Sequence, residues 1–299
     1  MAHEVSFFWG PKVQKRYTAL FIALLILIIG YSQRDQLVTR LLQVGIDRQF
    51  SSNIVEALGD GLHVALCGAG SPLPSPTASG PCVAVIANGE LYVVDVGSNS
   101  PRNLGRMGWP VAALEGVFIT HFHSDHIDGL GEIMTLRWAG GDFDTPLPVY
   151  GPTGIDRVVA GFNEAYALDF GYRQAHHGDA VTPLNAAGSQ AVSFIKPPAG
   201  ETVKLVEKDG LVIEAFAVTH APVEPAVGYR FTYKDRSVVI TGDTVKDPNI
   251  VEMSRGADLL VHEALAANLV ALLNEGARNN QQVNLTRITH DIPDYHATP

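Results

Sequence analysis

Residues 116–129 read GVFITHFHSDHIDG, and this stretch decides the fold. A short apolar run ends at Thr120, and three histidines and one aspartate follow within six residues: His121, His123, Asp125 and His126. His121 and His123 are two residues apart, so on an extended chain their side chains point the same way. The others fall in the turn that follows, so one loop supplies two ligands to each of two adjacent cations. Imidazole and carboxylate ligands without thiolate suit zinc, manganese or iron.

Residues able to bind metals also follow other apolar runs. Asp95 follows LYVV early in the chain, Asp243 follows SVVITG, and His262 follows DLLV. In layered folds, function lies mostly on loops at strand ends that a rigid scaffold holds in place. The pattern predicts two β-rich halves packed as sheets, with helices outside and a site along one shared edge.

Short β-rich runs begin after Gly61 and alternate with turn residues. The sequence predicts early strands over residues 62–67, 82–87, 91–96, 116–120 and 147–151, and further strands after Pro183. Asn88-Gly89 predicts a two-residue hairpin between the second and third of these strands. A helix is predicted over residues 154–168.

The N-terminal region contains an apolar run over residues 17–31 (YTALFIALLILIIGY) that follows Lys12, Lys15 and Arg16. The run is short for a membrane span of roughly 17–25 residues, although flanking residues extend it. Because the basic residues precede it, the N-terminus is expected to stay in the cytoplasm while the rest crosses. Two alternatives stay open besides a buried core helix. One is an inner-membrane anchor with the remaining chain in the periplasm or outside the cell, and the other is a signal peptide whose cleavage yields a secreted protein.

Charge and cysteine content limit the partners and the compartment. Formal net charge is -10, from 31 acidic and 21 basic side chains. An acidic surface repels phosphate backbones, which argues against nucleic acid as a partner. Cys67 and Cys82 end predicted strands that are expected to be neighbours. A disulfide in an oxidising compartment and a pair of buried thiols stay open as alternatives.

Taken together, these motifs resemble those of the metallo-β-lactamase superfamily. HxHxDH followed by Gly129 resembles its signature, and Asp95 resembles its first motif, an aspartate that hydrogen-bonds within the metal loop. His220 after FAVT, Asp243 in TGDT and His296 in DYHATP resemble the remaining motifs. The resemblance covers about residues 61–299. It implies a four-layer αβ/βα sandwich of the α/β class, preceded here by an N-terminal membrane-anchor helix.

The resemblance also implies two divalent metal ions, with zinc as the expected metal. It assigns three ligands to one ion, three to the other and one bridging aspartate: His121, His123 and His220; Asp125, His126 and His296; and Asp243. Two ions that share a water lower its pKa toward neutrality, and the resulting hydroxide would attack an ester. Asp125 is therefore expected to take part in catalysis as well as in metal binding.

Further residues are candidates for substrate contact. His262 is the candidate general acid, with the orientation of a metal ligand as the alternative and with Glu263 as its support. A polar cluster suits an anionic substrate group, or else forms a solvated helix end: Tyr172, Arg173, His176 and His177. A Gly-rich turn is a further candidate, because its backbone N–H groups suit a substrate anion: Gly68, Gly70 and Ser71.

Within the superfamily, the details resemble the ribonuclease Z and arylsulfatase branch. The loop after residue 66, the HEA motif at 262–264 and VGYRF at 227–231 resemble both groups, while DIPDYHATP looks most like arylsulfatase-like members. Residues 232–241 form a tight hairpin where transfer-RNA-processing members carry a long arm. The resemblance thus implies a metal-dependent hydrolase of small sulfate or phosphate esters. The alternatives are a ribonuclease Z-type endonuclease or phosphodiesterase, a lactone or thioester hydrolase, and a non-catalytic binding domain.

Three segments are expected: a cytoplasmic stub and membrane segment over residues 1–36, a linker helix over 37–60, and the hydrolase domain over 61–299. Three residues follow His296, so this domain is expected to lack a C-terminal helix and strand of its family. The expected partners are a small anionic ester, the membrane through the N-terminal helix, and a second copy in a homodimer.

Overall fold

The chain divides into two compact units, Met1–Ser52 and Asn53–Pro299. The computed structural model describes residues 11–51, 54–73 and 75–298. Residues 1–10 of the expected cytoplasmic stub lie outside the described residues. The structure thus has a single boundary between compact units, near residue 52, whereas the sequence predicts two boundaries, after residues 36 and 60.

The helix α1 (Pro11–Ser51) makes up the described part of the N-terminal unit. It runs through the expected boundary after residue 36, because residues 32–51 contain no proline and are rich in Gln, Arg and Leu, which favour helix. Among the described residues, no single helix has both the length and the apolar character of a membrane span. The segments Lys15–Leu25 and Gly30–Arg48 have that length and apolar character only when they are taken together, as a pair bent by 41°. This finding does not support the predicted membrane-anchor helix.

The C-terminal unit contains two β-sheets. Their strands are β1 (Leu62–Gly68), β2 (Cys82–Ala87), β3 (Glu90–Val94), β4 (Leu114–Phe118), β5 (Leu147–Pro152), β6 (Ser189–Phe194), β7 (Thr202–Lys208), β8 (Leu211–Ala217), β9 (Val227–Tyr233), β10 (Arg236–Ile240) and β11 (Leu259–Val261). The first sheet has the order β1-β2-β3-β4-β5-β6, antiparallel up to β3 and parallel from β3 to β6. The second has the order β11-β10-β9-β8-β7, antiparallel except for the parallel pair β10–β11.

The helices of this unit are α2 (Ile54–Leu58), α3 (Ser100–Arg106), α4 (Ser124–Ile127), α5 (Leu130–Gly140), α6 (Ile155–His177), α7 (Pro248–Met253), α8 (Ala267–Asn279) and α9 (Val283–Asp291). Of these, α3, α5 and α6 pack on the first sheet and α7 packs on the second. The helix α6 continues nine residues past the predicted end at residue 168. An ion pair between Arg173 and Asp169, four residues apart, supports these last turns, and Gly178 with φ 74° ends the helix.

Apolar side chains on both faces of the strands build the core. In β2, Val83 and Val85 face the second sheet, while Ala84 and Ile86 face the helices packed on the first. Burial on both faces explains why CVAVIA lacks the polar alternation of a half-exposed strand. On the outer face of the second sheet, Ile250 of α7 packs against a smaller cluster. The predicted mixed α/β sandwich with two sheets is confirmed.

Turns and a disulfide secure the first sheet. Asn88 and Gly89 join β2 to β3 with φ 54° and φ 73°, so the predicted two-residue hairpin is present. Cys67 in β1 and Cys82 in β2 are both buried, and a disulfide joins them with Cα atoms 5.0 Å apart. Of the two alternatives left open by the sequence, the structure shows the disulfide.

Candidate metal centre

The ends of β3, β4, β10 and β11 meet at one edge of the sandwich, and the HFHSDH loop follows β4 there. The buried hydroxyl of Tyr229 donates a 2.6 Å hydrogen bond to the carbonyl of Ile119, which fixes the chain just before this loop. His121 is fully buried, and the short helix α4 contains the buried Asp125 and His126. The loop therefore turns its ligand side chains inward rather than to solvent.

Four of the predicted ligands form a compact group. His121, His123, His220 and Asp243 each offer a ligand atom, and these atoms lie within 4.8 Å of one another. Nε2 of His121 is 3.0 Å from Nδ1 of His123. Oδ2 of Asp243 lies 3.9 Å from Nε2 of His121 and 3.9 Å from Nε2 of His220. Three imidazole nitrogens with one carboxylate oxygen are a ligand set that suits zinc and similar divalent ions.

The other predicted ligands lie on the far side of Asp243. Its Oδ2 is 3.3 Å from Nε2 of His126 and 3.9 Å from Nδ1 of His296. Oδ2 of Asp125 is 3.9 Å from Nε2 of His126. Asp243, Glu263 and His296 form a second group whose ligand atoms lie within 4.8 Å of one another. The structure thus brings all seven predicted ligands together around Asp243.

Hydrogen bonds at Nδ1 orient two of these histidines. Nδ1 of His126 donates to Asp95 at 2.8 Å, and Nδ1 of His220 donates to the carbonyl of Tyr295 at 2.9 Å. In each ring this leaves Nε2 with a lone pair for a cation. Among the described residues, Nε2 of His126 and Nε2 of His220 are buried without a hydrogen-bond partner. Because buried polar atoms are normally paired, these two orphaned nitrogens fit bound metal ions.

Glu263 makes contacts that the sequence did not indicate. Its carboxylate accepts a hydrogen bond from Nδ1 of His296 at 2.9 Å and from the backbone N–H of Thr244 at 2.7 Å. It therefore holds His296 rather than the His262 side chain, with which the sequence paired it. His262 is exposed, and its Nδ1 donates to the Glu263 carbonyl at 2.6 Å. The position of Glu263 just after β11, on the ligand-bearing edge, is the sequence signal from which this role could have been predicted.

Burial and neighbouring charges set the protonation of the centre. Burial, reinforced by the nearby histidines, lowers the pKa of His121 to about 2, and burial also lowers that of His220. Burial opposes charge on His126 as well, but the carboxylates of Asp95 and Asp243 outweigh it and raise the pKa. Burial would raise the pKa of Asp243, but its interaction with His126 holds the pKa below the usual value. Neutral imidazoles and an ionised aspartate are the forms that bind metal, so an ion bound at His126 would displace a proton from that ring.

The Gly-rich turn is packed against its own loop. The N–H of Gly70 donates to the carbonyl of Ser79 at 2.7 Å. A Cβ on Gly68 would lie 1.8 Å from the carbonyl oxygen of Gly80, so the glycine allows the two arms of the loop to touch. The N–H of Gly70 is thus engaged within the protein, which contradicts its expected role toward a substrate. Ser71 is exposed at the same turn.

The predicted polar cluster lies at the C-terminal end of α6. Arg173 pairs with Asp169 at 2.7 Å, and Nδ1 of His176 donates to the Tyr172 carbonyl at 3.0 Å. The ring of His177 contacts that of His176. In the part of the chain that the structure describes, these contacts stay within the helix and none joins the metal centre. A substrate role for this cluster stays a prediction.

The geometry of the centre and a family match agree. Residues 77–279 match the family model described as the metallo-beta-lactamase superfamily. The chain belongs to the metallo-β-lactamase superfamily. The predicted resemblance is confirmed, and the chain is a metal-dependent hydrolase of this superfamily.

Individual members of the superfamily refine the comparison. Ribonuclease Z of Mycobacterium avium (strain 104) is 34% identical over 244 residues, which cover 79% of this chain and 78% of the relative. Ribonuclease Z of Mycobacterium bovis (strain BCG / Pasteur 1173P2) is 34% identical over 240 residues, with 79% and 78% covered. The crystal structure of human tRNase Z, short form, has a TM-score of 0.55 at 24% identity and covers 71% of this chain and 82% of its own. That structure shares the fold.

These members of the superfamily correct two expectations. The net charge argues against a nucleic-acid partner, and that expectation is wrong, because the curated relatives are ribonucleases by name. Net charge averages the whole surface, whereas binding depends on the local field at the site. Arylsulfatase-like specificity is not supported, and the relatives favour the ribonuclease Z alternative. The comparisons give no support to a small anionic ester, a membrane or a homodimer as partners.

Proposed function

We propose that this hydrolase is a ribonuclease Z-type endonuclease that cleaves phosphodiester bonds in RNA. The observation that carries the proposal is the convergence of six predicted metal-ligand residues on a seventh, Asp243, in a chain 34% identical to curated ribonuclease Z proteins. An RNA phosphodiester carries a negative charge, and a dinuclear metal site suits that charge better than an acidic protein surface does.

Two divalent ions, for which zinc is our proposal, would occupy the centre. The ligands proposed for them are the seven that the sequence predicts: His121, His123 and His220 for one ion; Asp125, His126 and His296 for the other; and Asp243 for both. When bound, such ions lower the pKa of water and neutralise charge on phosphate oxygens. The protein holds the imidazoles of His126 and His220 through Asp95 and the Tyr295 carbonyl, so that their free nitrogens converge near Asp243. Glu263 holds the ring of His296 beside them.

RNA recognition is expected to rest on the rim of the metal centre. The strands β9 and β10 are joined by a two-residue turn, since Tyr233 pairs with Arg236. The arm that extends this segment in transfer-RNA-processing members is therefore reduced to a tight hairpin. Under the proposal, loops near the centre make the contacts with the RNA backbone and bases.

We propose His262 as the group that protonates the leaving oxygen. Its ring is exposed at the ligand-bearing edge, and its Nδ1 donates to the Glu263 carbonyl, which leaves Nε2 free to carry a proton toward the substrate. A general acid contributes typically 10²–10⁴-fold, so His262→Gln is expected to lower kcat by about 100-fold or more. Single-turnover cleavage would measure the loss, and elemental analysis should find unchanged metal. An unchanged kcat would rule out this role.

The decisive experiment measures RNA cleavage by the zinc-loaded full chain. A precursor transfer RNA with a 3′ trailer is the substrate, beside p-nitrophenyl sulfate, bis-p-nitrophenyl phosphate, a lactone and a thioester. We expect endonucleolytic cleavage of the RNA, its loss on chelation, and its return when zinc is restored.

The matched variants are Asp243→Asn in the centre and Asp235→Asn in the exposed turn between β9 and β10. The first should abolish cleavage and lower bound metal below two per chain, while the second should change neither. Turnover of the sulfate ester together with inert RNA would contradict the proposal.

A further inference from the structure

The side chain of Tyr295 lies beside the metal centre. Its ring centroid is 4.8 Å from that of His296 and 5.6 Å from that of His220, with interplanar angles of 47° and 68°. Both histidines face Asp243, where the two ligand groups meet. A group bound at Asp243 would therefore have this aromatic ring next to it.

The side chain of Tyr295 is accessible to a further contact. It is only partly buried, and its hydroxyl makes no hydrogen bond to any of the described residues. The hydrogen bond to Nδ1 of His220 comes from the backbone carbonyl of Tyr295, which any amino acid would supply. The aromatic side chain is thus not needed to orient the histidine. Tyrosine presents a large apolar ring with a polar tip, and it is enriched at surfaces that contact partners.

We propose that Tyr295 stacks on the base of a nucleotide adjacent to the scissile phosphate. This inference rests on the proposed ribonuclease function. It gives Tyr295 the role of favouring RNA whose bases are unstacked and single-stranded at the cleavage site. Bases of single-stranded RNA are recognised by stacking on aromatic side chains, and every base offers a face for it. Ions held by the histidines beside the ring would bind the phosphate, and the ring would stack on the neighbouring base.

The test uses Tyr295→Leu, which removes the ring, and Tyr295→Phe, which keeps it. The site of cleavage in a precursor transfer RNA is first mapped with the wild-type chain. Two synthetic RNAs then carry an abasic nucleotide on the 5′ or the 3′ side of the scissile bond. On intact RNA, Tyr295→Leu is expected to lose about tenfold to a hundredfold in kcat/KM, while Tyr295→Phe retains wild-type cleavage.

One of the abasic RNAs should be cleaved equally by the wild-type chain and by Tyr295→Leu, since the base that stacks is missing. Both variants should still bind two metal ions per chain. If Tyr295→Leu is impaired equally on intact RNA and on both abasic RNAs, or if it loses metal, the ring is structural and the inference is wrong. A wild-type chain that binds two metals and leaves all the RNAs intact would instead overturn the proposed function, before any variant is compared.

Discussion

Gly242 occupies a position in the metal centre that only glycine fits. Its φ is +63°, and a Cβ there would lie 2.7 Å from the Thr120 side chain, which binds Asp95. We expect Gly242→Ala to cost about 1–2 kcal/mol for the left-handed backbone, and to displace both Thr120 and the adjacent Asp243. Bound metal should therefore fall together with the free energy of unfolding.

Gly256 provides the matched control, because its φ is +69° and nothing lies within 4 Å of a Cβ built there. Gly256→Ala should show the same backbone cost with normal metal content. Denaturant unfolding and elemental analysis separate the two effects. Equal metal content in both variants would show that the contact with Thr120 does not position Asp243.

Glu263 is expected to matter through His296. Glu263→Gln removes the charge that holds Nδ1 of His296, while the amide oxygen is still able to accept one hydrogen bond. Partners of this kind typically change metal affinity by about 10- to 100-fold. We expect the second ion to bind more weakly by that factor and the first, held by His121, His123 and His220, to stay. Zinc titration measures both steps.

An exposed carboxylate on α8 serves as the control for that titration, since Glu275→Gln removes a similar charge outside the two ligand groups. It should leave both binding steps unchanged. If Glu263→Gln behaves like Glu275→Gln, then Glu263 does not hold His296 for metal binding.

At this scale the structure brings together the seven ligands that the sequence predicts, and Asp95 makes its predicted hydrogen bond within the metal loop. The sequence did not predict that Glu263 and the Tyr295 carbonyl orient His296 and His220. The ligands directly follow apolar runs or form a dense local motif, so their pattern can be recognised in the sequence. Glu263 reaches His296 across 33 residues, and the Tyr295 carbonyl reaches His220 across 75. Such contacts depend on how the sheets pack, and backbone carbonyls carry no sequence signature at all.

At the scale of elements, the strand β11 is short but determines where His262 and Glu263 lie. Just before this strand, Asp258 accepts hydrogen bonds from Arg236 at 2.7 Å and from the N–H of Ser237 at 2.8 Å, both at the start of β10. These bonds place the two parallel strands in register, with Val238 opposite Leu259.

The hydrogen bonds from Arg236 and Ser237 lower the pKa of Asp258 below its ordinary value of 3.8. A lowered folded-state pKa stabilises the fold above the unfolded pKa, and this contribution is lost as the pH falls through the folded pKa. Asp258→Asn should therefore be less stable than wild type at pH 7, and the difference should shrink below about pH 4. Denaturant unfolding at several pH values, with Asp235→Asn as control, measures this. A difference that is constant with pH would contradict it.

Helix lengths were harder to predict than strands. The strands are marked by turns such as Asn88-Gly89 and by apolar runs that are buried on both faces. Beyond the buried Phe170, α6 extends to His177 through a polar, largely exposed segment, and the ion pair of Arg173 with Asp169 supports it. Periodicity indicates a buried face, so a solvated helix end escapes it.

At the scale of the whole molecule, charge and compartment are separate questions. The net charge of -10 describes the chain as a whole, while the proposed RNA contacts depend on the metal centre and the residues around it. Location outside the cytoplasm stays a prediction. The disulfide between Cys67 and Cys82 agrees with that prediction, because such bonds persist mainly in oxidising compartments.

That disulfide is expected to contribute to global stability. It joins residues separated by 15 positions at the edge of the first sheet, next to the core that packs under α3 and α5. Closing a loop of this size lowers the entropy of the unfolded chain and stabilises the fold by about 3 kcal/mol. Reduction with a strong reductant, or the double variant Cys67→Ala with Cys82→Ala, should lower the free energy of unfolding by about this amount.

If loss of the disulfide is the cause, reduction and the double variant should lower the free energy of unfolding by the same amount. Reductant should have no effect on the double variant, because the thiols are gone, while the wild-type chain should lose stability only when reduced. Gly80, in the loop that the disulfide closes, packs against Gly97 and the carbonyl of Asp125. Metal content measured beside denaturant unfolding therefore tells whether the bond acts on the fold alone or also on the centre. Equal stability of the reduced and oxidised wild-type chain would show that the packing of β1 on β2 holds this edge without the bond.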